Sequence, residues 1–236
     1  MNNKPKVAFI IPAYNEAIVI GSVIKELQRE LKKTGMTYKI VVVDDGSRDK
    51  TALEAEKSGA YIIQHILNTG SGGATATGLS YAQQKGFDIA ATLDADGQHD
   101  PRDVIKGVRL MQDSSKDLLL GSRLIDSDGM SRIKILGNKG LTVITYILFG
   151  INVTDSQSGL RIFSKNSLEK LKWKTSGYEF CSEMLWRAKQ VGLVIDEYPI
   201  RAVYTDYSKS KGQNNWNAFK IVSSLIKQRA VEILGE

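Results

Sequence analysis

Short apolar runs alternate with helical patterns along the first half of the chain. Runs of β-branched and aliphatic residues predict buried strands over residues 7–11, 40–43, 61–66, 89–93 and 118–120. Apolar residues at helical spacing between residues 18 and 31 predict a helix, and residues 51–57 suit a shorter one. Asp100 and Pro101 are the residue types preferred at the cap and first position of a helix. This rhythm predicts an α/β fold with a mostly parallel, Rossmann-like central sheet flanked by helices on both faces.

Polar side chains follow four of these strands at the point where each one ends. They are Tyr14-Asn15-Glu16, Asp44-Asp45, Asp94-Ala95-Asp96 and Ser122-Arg123. Because the carboxyl ends of parallel strands meet at one edge of a sheet, these clusters are expected to lie together. The pattern therefore predicts a ligand site at that edge.

The second half of the chain is less regular. Helical patterns cover residues 134–149 and 179–190, and residues 193–204 alternate enough for one or two strands around Pro199. Residues 214–236 carry an apolar stripe beside basic residues and predict a C-terminal amphipathic helix. That helix either packs on the core, the more common use of such a stripe, or lies on an anionic membrane surface.

Composition narrows the partners and the compartment. The 236-residue chain has a net charge of +6, which favours anionic partners such as nucleotides and phosphates. Its basic residues are scattered rather than clustered, so nucleic acid is not expected. A single cysteine, Cys181, fits a reducing compartment, and no apolar stretch is long enough to span a bilayer. We therefore expect a cytoplasmic protein, free or peripheral on the cytoplasmic face of a membrane.

The acidic stretch "TLDADGQHDP" at residues 92–101 is the strongest candidate for chemistry. If the backbone stays extended, the carboxylates of Asp94 and Asp96 point to the same side. Two such carboxylates can hold Mg²⁺ or Mn²⁺, and these ions also accept phosphate oxygens. Gln98 adds a carbonyl oxygen, and His99 could ligate Mn²⁺ or bond a phosphate. By itself D-x-D is also common in ordinary turns.

Other clusters have two interpretations each. Residues 44–49 form a turn-like sequence whose carboxylates could also accept hydrogen bonds from a nucleobase or ribose. Glycines 70, 72 and 73 resemble a phosphate-binding loop without the P-loop lysine, and a flexible loop is at least as good an interpretation. Arg123 could bind a phosphate or simply be an exposed arginine at a strand end.

Five segments taken together resemble glycosyltransferase family 2 of the GT-A fold, in the branch of dolichyl-phosphate mannose synthase and other polyprenyl-phosphate glycosyltransferases. The segments are "IIPAYNE" (10–16), "VVVDDGSRDKT" (41–51), "TLDADGQHDP" (92–101), "GSRL" (121–124) and "DSQSGLRIFS" (155–164). The resemblance runs from about residue 6 to residue 205, and it implies a GT-A domain over residues 1–213. Residues 214–236 then form the separate amphipathic helix.

The resemblance also implies roles for individual residues. Those assigned to the nucleotide are Pro12, Tyr14, Glu16, Asp44, Asp45 and Asp94. Those assigned to a divalent cation, Mg²⁺ or Mn²⁺, are Asp94, Asp96 and Gln98. Arg123 would face a donor or acceptor phosphate, and Asp155, Ser158 and Arg161 would line the sugar and acceptor side.

The sequence departs from that family in two places. Family members often carry an arginine about six residues after the proline of the last strand, where this chain has Thr205. Arg201, Lys209 or Lys211 could replace it on the acceptor phosphate. Many family members also have transmembrane helices, and this sequence contains no such segment. Both differences concern the acceptor rather than the nucleotide-sugar donor.

The implied reaction is inverting transfer of a sugar from a UDP- or GDP-linked donor to a polyprenyl or dolichyl phosphate. The alternative is a family 2 enzyme that extends a glycan hydroxyl, with Asp155 as the general base. Asp155→Asn would then be mild in the first case and severe in the second. A nucleotide-binding module without activity is a third hypothesis, but Asp94, Asp96 and Gln98 are all present. A homo-oligomer is compatible with the sequence.

Overall fold

The computed structural model describes residues 4–126, 132–203, 222–226 and 229. Seven strands form one sheet: β1 Lys6–Ala13, β2 Thr37–Asp44, β3 Tyr61–Gln64, β4 Ile89–Thr92, β5 Leu118–Ser122, β6 Arg161–Ser164 and β7 Ile195–Pro199. Besides a helical stretch at residues 222–226, the described residues form seven helices: α1 Ile20–Leu31, α2 Thr51–Lys57, α3 Ser71–Gln84, α4 Pro101–Gln112, α5 Arg132–Phe149, α6 Lys165–Lys170 and α7 Phe180–Gln190.

The strand order is β3-β2-β1-β4-β6-β5-β7, and β6 alone runs antiparallel to its neighbours. The inner strands are apolar and buried on both faces, as a strand covered by helices on each side requires. The predicted α/β class and mostly parallel sheet are confirmed.

Two apolar clusters cover the two faces of the sheet. One contains buried residues of α1, α2 and α4, and the other contains buried residues of α3, α5, α6 and α7. Asp100 caps α4 as predicted, since its side chain accepts a hydrogen bond from the Arg102 amide. Because helices cover both faces, a ligand is expected at the carboxyl ends of the parallel strands.

Two details differ from the sequence expectations, and one open alternative is decided. The antiparallel strand β6 was not predicted, because four residues, RIFS, are too few to show a period. Of the one or two strands expected around Pro199, the described residues contain one, β7 at Ile195–Pro199, followed by an isolated bridge between His99 and Ala202. Gly72 and Gly73 lie inside the first turn of α3 rather than in a loop before it.

Most of the predicted C-terminal helix, residues 214–236, lies outside the described residues. Residues 222–226 are helical, and within them Leu225 is fully buried in the second apolar cluster while Ile226 is half exposed. Leu225 therefore packs against the core, and the predicted helix over residues 214–236 stays a prediction.

Candidate active site

The predicted site residues converge because the strands share a direction. β1 lies between β2 and β4 in parallel register, and Ala13 is paired with Asp44 and Ile10 with Thr92. β5 is antiparallel to β6, which is antiparallel to β4, so β5 ends at the same edge. The antiparallel strand β6 begins there, with Arg161 opposite Thr92 and Leu120. Residues 155–161 therefore lie at this edge because they come before or at the start of β6, whereas the other site residues lie at or after the ends of their strands.

The loops after β1 and β2 hold each other in place. The Asn15 amide donates to the Ser47 hydroxyl at 2.9 Å, and the Asn15 side chain accepts from the Arg48 amide at 2.8 Å. The Glu16 amide donates to the Thr51 hydroxyl at 2.8 Å. Asn15 has a φ of 56°, a left-handed conformation that asparagine tolerates better than most residues. These contacts leave Tyr14 40% exposed beside the buried Glu16 at the mouth of the site.

The two carboxylates at the end of β2, Asp44 and Asp45, are both buried and have different partners. Asp44 accepts from the Ser47 amide and the Gln64 side chain. Asp45 accepts from the Thr69 amide at 2.8 Å, the Thr69 hydroxyl at 2.7 Å and the Gly70 amide at 2.7 Å. The His65 ring lies 2.7 Å from the same carboxylate. Asp45 therefore fixes the segment that leads into α3.

Glycine backbone in that segment is engaged by the protein itself. The Gly70 amide donates to Asp45, and the Gly72 and Gly73 amides donate to the Ser176 carbonyl. A methyl group at Gly72 would lie 2.7 Å from the Phe180 side chain, so glycine is required there by close packing. The glycines therefore allow α3 to pack closely against the segment before α7. Their amides are bonded within the protein and do not form a phosphate-binding loop.

We expect Asp45→Asn to lower the free energy of unfolding by about 1–3 kcal/mol, because an amide nitrogen would face N–H donors in a buried position. Burial opposes ionisation of Asp45, but its hydrogen bonds with Thr69, His65 and Gly70 outweigh this and lower its pKa. A lowered native pKa gives stability above the unfolded value, about 3.9, that is lost as the pH falls through the native value. Urea unfolding between pH 7 and pH 3 should show the wild-type advantage shrinking with acid.

Asp113→Asn, at an exposed carboxylate just after α4, is the matched control for that experiment. It should match the wild type at every pH. A wild-type advantage over Asp45→Asn that stayed constant down to pH 3 would contradict a stabilising role for the ionised Asp45.

Asp94 lies between His99 and the backbone of Gly159. Its Oδ2 is 3.0 Å from His99 Nε2, and a methyl group at Gly159 would come within 2.3 Å of Asp94 Oδ1. The Asp94 side chain is 52% exposed, so a ligand can reach it. Desolvation opposes ionisation, but the His99 hydrogen bond and the charges of Arg123 and Arg161 outweigh it and lower the pKa of Asp94. Asp94 is therefore held as an accessible anion.

Asp96 has the opposite electrostatic environment. Burial and the negative charges of Asp94 and Glu16 raise its pKa to about 6, although the Gln98 amide donates to its Oδ1 at 2.9 Å. Such repulsion between neighbouring carboxylates is relieved when a cation binds between them. No three His, Cys, Asp or Glu side chains within the described ranges are close enough to hold a metal unaided. Asp94 and Asp96 thus fit Mg²⁺ or Mn²⁺ completed by ligand phosphates and water, the usual coordination of Mg²⁺.

Arg123 and Asp155 form a bidentate pair beyond the acidic residues. Arg123 Nε donates to Asp155 Oδ2 at 2.7 Å and Nη2 donates to Oδ1 at 3.0 Å, while the Arg123 amide also donates to Oδ2 at 3.2 Å. The Asp155 side chain is fully buried and that of Arg123 is 18% exposed. Both oxygens of Asp155 are therefore occupied by Arg123.

Arg161 and Ser158 lie beneath the site surface. Arg161 is 1% exposed, donates to the Ser156 carbonyl, and stacks on the Phe180 ring at 5.0 Å. Its Nε is buried with no hydrogen-bond partner among the described residues. Ser158 is also 1% exposed and accepts from the Leu160 amide. Both residues support the loop before β6, and Arg161 contributes positive charge near Asp94.

The segment after β7 returns alongside residues 98–103. The Val203 amide donates to the Gln98 carbonyl, the Arg201 amide donates to Asp103, and His99 forms a bridge with Ala202. The Arg201 residue is exposed, and its amide is bonded to Asp103 rather than to the Arg123–Asp155 pair. Lys209 and Lys211, the other substitutes for the missing family arginine, lie outside the described residues.

Glu197 was missed by the sequence reasoning, and His99 was considered only as a ligand of Mn²⁺ or of a phosphate. His99 directs Nε2 at Asp94, and its Nδ1 is buried without a hydrogen-bond partner in the described part of the chain. Glu197 accepts hydrogen bonds from Thr154 and Asp155, although it lies 42 residues away from Asp155. No local motif marks the Glu197 contact, because it depends on strands that meet only in the folded sheet. The His99–Asp94 contact spans only five residues, but sequence spacing does not show which group the ring faces.

This architecture and this acidic strand-end site define a class, the GT-A glycosyltransferases. The chain superposes on mannosyl-3-phosphoglycerate synthase from Rubrobacter xylanophilus with a TM-score of 0.72 at 19% identity, covering 98% of this chain and 75% of that one. It superposes on Mycobacterium tuberculosis glucosyl-3-phosphoglycerate synthase in complex with Mn²⁺, UDP and phosphoglyceric acid with a TM-score of 0.73 at 20% identity, covering 97% and 78%. The predicted GT-A fold is confirmed.

The sequence matches the family described as "Glycosyl transferase family 2" over residues 8–172. It is 44% identical over 232 residues to an uncharacterized protein of Methanocaldococcus jannaschii, covering 96% of this chain and 93% of that one. It is 40% identical to the Methanococcus voltae UDP-N-acetylglucosamine–dolichyl-phosphate N-acetylglucosaminyltransferase, covering 95% and 96%. It is 27% identical to the Micrococcus luteus undecaprenyl-phosphate mannosyltransferase, covering 87% of each chain. The protein belongs to glycosyltransferase family 2, as predicted, and is a glycosyltransferase of that family.

Proposed function

We propose that the protein transfers a sugar, with inversion, from a nucleotide-sugar to a polyprenyl phosphate. An acceptor phosphate oxygen forms the new bond to the anomeric carbon while the bond to the donor diphosphate breaks, and the nucleoside diphosphate leaves. A phosphate monoester is largely dianionic at neutral pH, since its second pKa is about 6, so this acceptor needs no general base. The relatives named for dolichyl- and undecaprenyl-phosphate substrates support this substrate class.

The Arg123–Asp155 pair is the observation that carries the choice of acceptor. Asp155 was the candidate base for a glycan hydroxyl, but its two oxygens both accept from Arg123 and its side chain is fully buried. A carboxylate in that position cannot collect a proton from a hydroxyl without losing its partner. The same pair orients a guanidinium, whose planar donors suit phosphate oxygens.

Asp94 and Asp96 would hold a divalent cation, which when bound neutralises charge on the leaving diphosphate. Gln98 lies two residues beyond Asp96, and its side-chain carbonyl oxygen would be a further ligand of the cation. Pro12, Tyr14, Glu16 and Asp44 remain proposed neighbours of the nucleotide, since the loops that carry them meet at this edge. Asp45 would act on the nucleotide indirectly, by fixing the segment before α3.

The first experiment offers the purified protein a short polyprenyl phosphate, Mn²⁺ or Mg²⁺, and a panel of UDP- and GDP-linked sugars. UDP-N-acetylglucosamine comes first, because the 40% identical relative is named for it. The account predicts metal-dependent labelled sugar in the organic phase and none with EDTA. Metal-dependent donor hydrolysis without any lipid product would instead favour a glycan hydroxyl as acceptor.

We also propose that the outer face of α5 contacts an anionic membrane surface. Leu136, Val143, Tyr146 and Ile147 lie on one side of this helix and are 54–75% exposed. The helix has three basic residues and no acidic one, which suits anionic lipid. None of the described helices is long and apolar enough to cross a bilayer, so such contact would be peripheral.

The buried face of α5 connects that surface to the site. Thr142 accepts from the Ser156 amide at 3.1 Å, and the Thr145 hydroxyl lies 2.8 Å from the Ser182 hydroxyl. Ser156 follows Asp155 directly. A membrane on the outer face of α5 would therefore lie one helix away from the proposed acceptor site.

Replacing Leu136, Val143 and Ile147 together by Gln should weaken binding to vesicles with one-third anionic lipid by about 10-fold or more, since each side chain loses apolar burial. The matched control replaces Leu53, Leu110 and Val194, which are exposed apolar residues on other elements, and should bind as the wild type does. Co-sedimentation measures both. Equal loss in the two triple variants would contradict a specific role for α5.

A further inference from the structure

Glu197 lies on β7 and reaches the loop that carries Asp155. Its Oε2 accepts from the Thr154 amide at 2.7 Å, and its Oε1 accepts from the Thr154 hydroxyl at 3.0 Å and from the Asp155 amide at 3.2 Å. One carboxylate thus receives three hydrogen bonds from two consecutive residues. Hydrogen bonds to a charged acceptor are stronger and shorter than neutral ones, so this contact fixes the loop backbone well.

The same loop is tied to the end of β5. The Thr154 hydroxyl lies 2.6 Å from the Ser122 hydroxyl, and Ser122 precedes Arg123. Asp155 then accepts from both the backbone amide and the guanidinium of Arg123. The connection therefore runs without a gap from Glu197 through Thr154 and Asp155 to Arg123.

We propose that Glu197 is a positioning residue that sets the orientation of the Arg123 guanidinium by fixing Thr154 and Asp155. β5 and β7 are paired in parallel with Leu120 opposite Glu197, so the carboxylate has a fixed origin in the sheet. Without Glu197, the Asp155 carboxylate would keep its hydrogen bonds with Arg123. The Asp155 amide would lose its acceptor, and the orientation of the Arg123–Asp155 pair would no longer be fixed.

Hydrogen exchange tests the positioning directly and does not depend on the proposed function. In Glu197→Gln, one carbonyl oxygen remains and an NH₂ group faces the donors. The amides of Thr154, Asp155 and Arg123 should exchange about 10-fold faster than in the wild type, while amides in β1 and β4 should not change. Asp196→Asn, on the same strand with its partner Lys116 at the surface, is the matched control and should leave all three unchanged. Unchanged exchange in Glu197→Gln would overturn the proposal.

The functional consequence rests on the proposed role of Arg123 and is measured as a double-mutant cycle. Glu197→Gln and Arg123→Lys should each lower kcat/KM for sugar transfer about 10-fold, with the thermal midpoint of Glu197→Gln close to that of the wild type. If Glu197 acts through Arg123, the double variant should fall little further than either single one. A roughly 100-fold additive loss would show that Glu197 acts elsewhere. If the wild type transferred no sugar, the proposed function would fail while the exchange result still decided the positioning.

Discussion

Asp96→Ala is expected to lower sugar transfer by about 100-fold or more. Asp96 and Asp94 are the carboxylates that repel each other at the mouth of the site, and the pKa of Asp96 is raised to about 6 by burial first and by that repulsion second. Removing one of them weakens binding of the cation that would neutralise the leaving diphosphate. A loss of about 3 kcal/mol of transition-state stabilisation corresponds to about 100-fold in rate. Transfer rates at saturating donor, with Mn²⁺ varied from micromolar to millimolar, measure the loss.

Asp113→Ala serves as the control, since that carboxylate is exposed at the end of α4 and far from the acidic pair in the chain. It should retain the wild-type rate and Mn²⁺ dependence. A variant lacking Asp96 that transferred sugar at the wild-type rate at low Mn²⁺ would refute the assignment of the cation site.

Arg123→Ala should both destabilise the protein and abolish transfer. It leaves the fully buried Asp155 carboxylate without its guanidinium, and breaking one side of a buried ion pair costs about 3–5 kcal/mol. The double variant Arg123→Ala/Asp155→Ala has no uncompensated buried charge. Its free energy of unfolding should therefore recover in large part. Transfer should not recover, because the group that faces the phosphate is still missing.

Urea unfolding and transfer assays on the two variants separate the structural role of the pair from its chemical role. Recovery of both stability and activity in the double variant would mean that Arg123 serves only to neutralise Asp155. Recovery of neither would mean that the side chains contribute packing that the double alanine cannot replace.

The pair also changes what Asp155→Asn can reveal. The sequence alone suggested that this variant would be mild for a lipid-phosphate acceptor and severe for a glycan acceptor. In the structure Asp155 holds Arg123 by three hydrogen bonds, so the variant disturbs a phosphate contact as well. A loss of activity in Asp155→Asn therefore does not by itself identify a general base, and acceptor chemistry must be tested directly.

The fold was largely predictable, because its strands and helices have clear periods and caps. Asp100 shows this well, since it caps α4 as its sequence context indicates. The four-residue strand β6 was not predictable, since it pairs β4 with β5 from far along the chain and has no local period. That strand places Arg161 opposite Thr92, which explains why Arg161 is buried rather than exposed toward an acceptor.

The sequence indicated that the candidate site residues would lie at one edge of the sheet, but it did not indicate the contacts between them. Asp94, Asp96, Arg123 and Asp155 follow strand ends or precede a strand, and family resemblance marks each one. Their partners His99 and Glu197 are fixed by tertiary pairing, through the bridge at Ala202 and the β5–β7 register. Distances between such residues depend on the sheet order, which sequence spacing does not specify.

The most direct test of the account compares polyprenyl phosphate with the polyprenol of the same length as acceptors, using labelled UDP-N-acetylglucosamine, or the preferred donor of the panel, with Mn²⁺. The account predicts organic-phase label only with the phosphate, and little change in rate between pH 7 and pH 8.5, where the acceptor is already dianionic because its second pKa is about 6. Equal label with the polyprenol would contradict it, because the attacking atom would then be a hydroxyl that needs a base which Asp155 cannot supply.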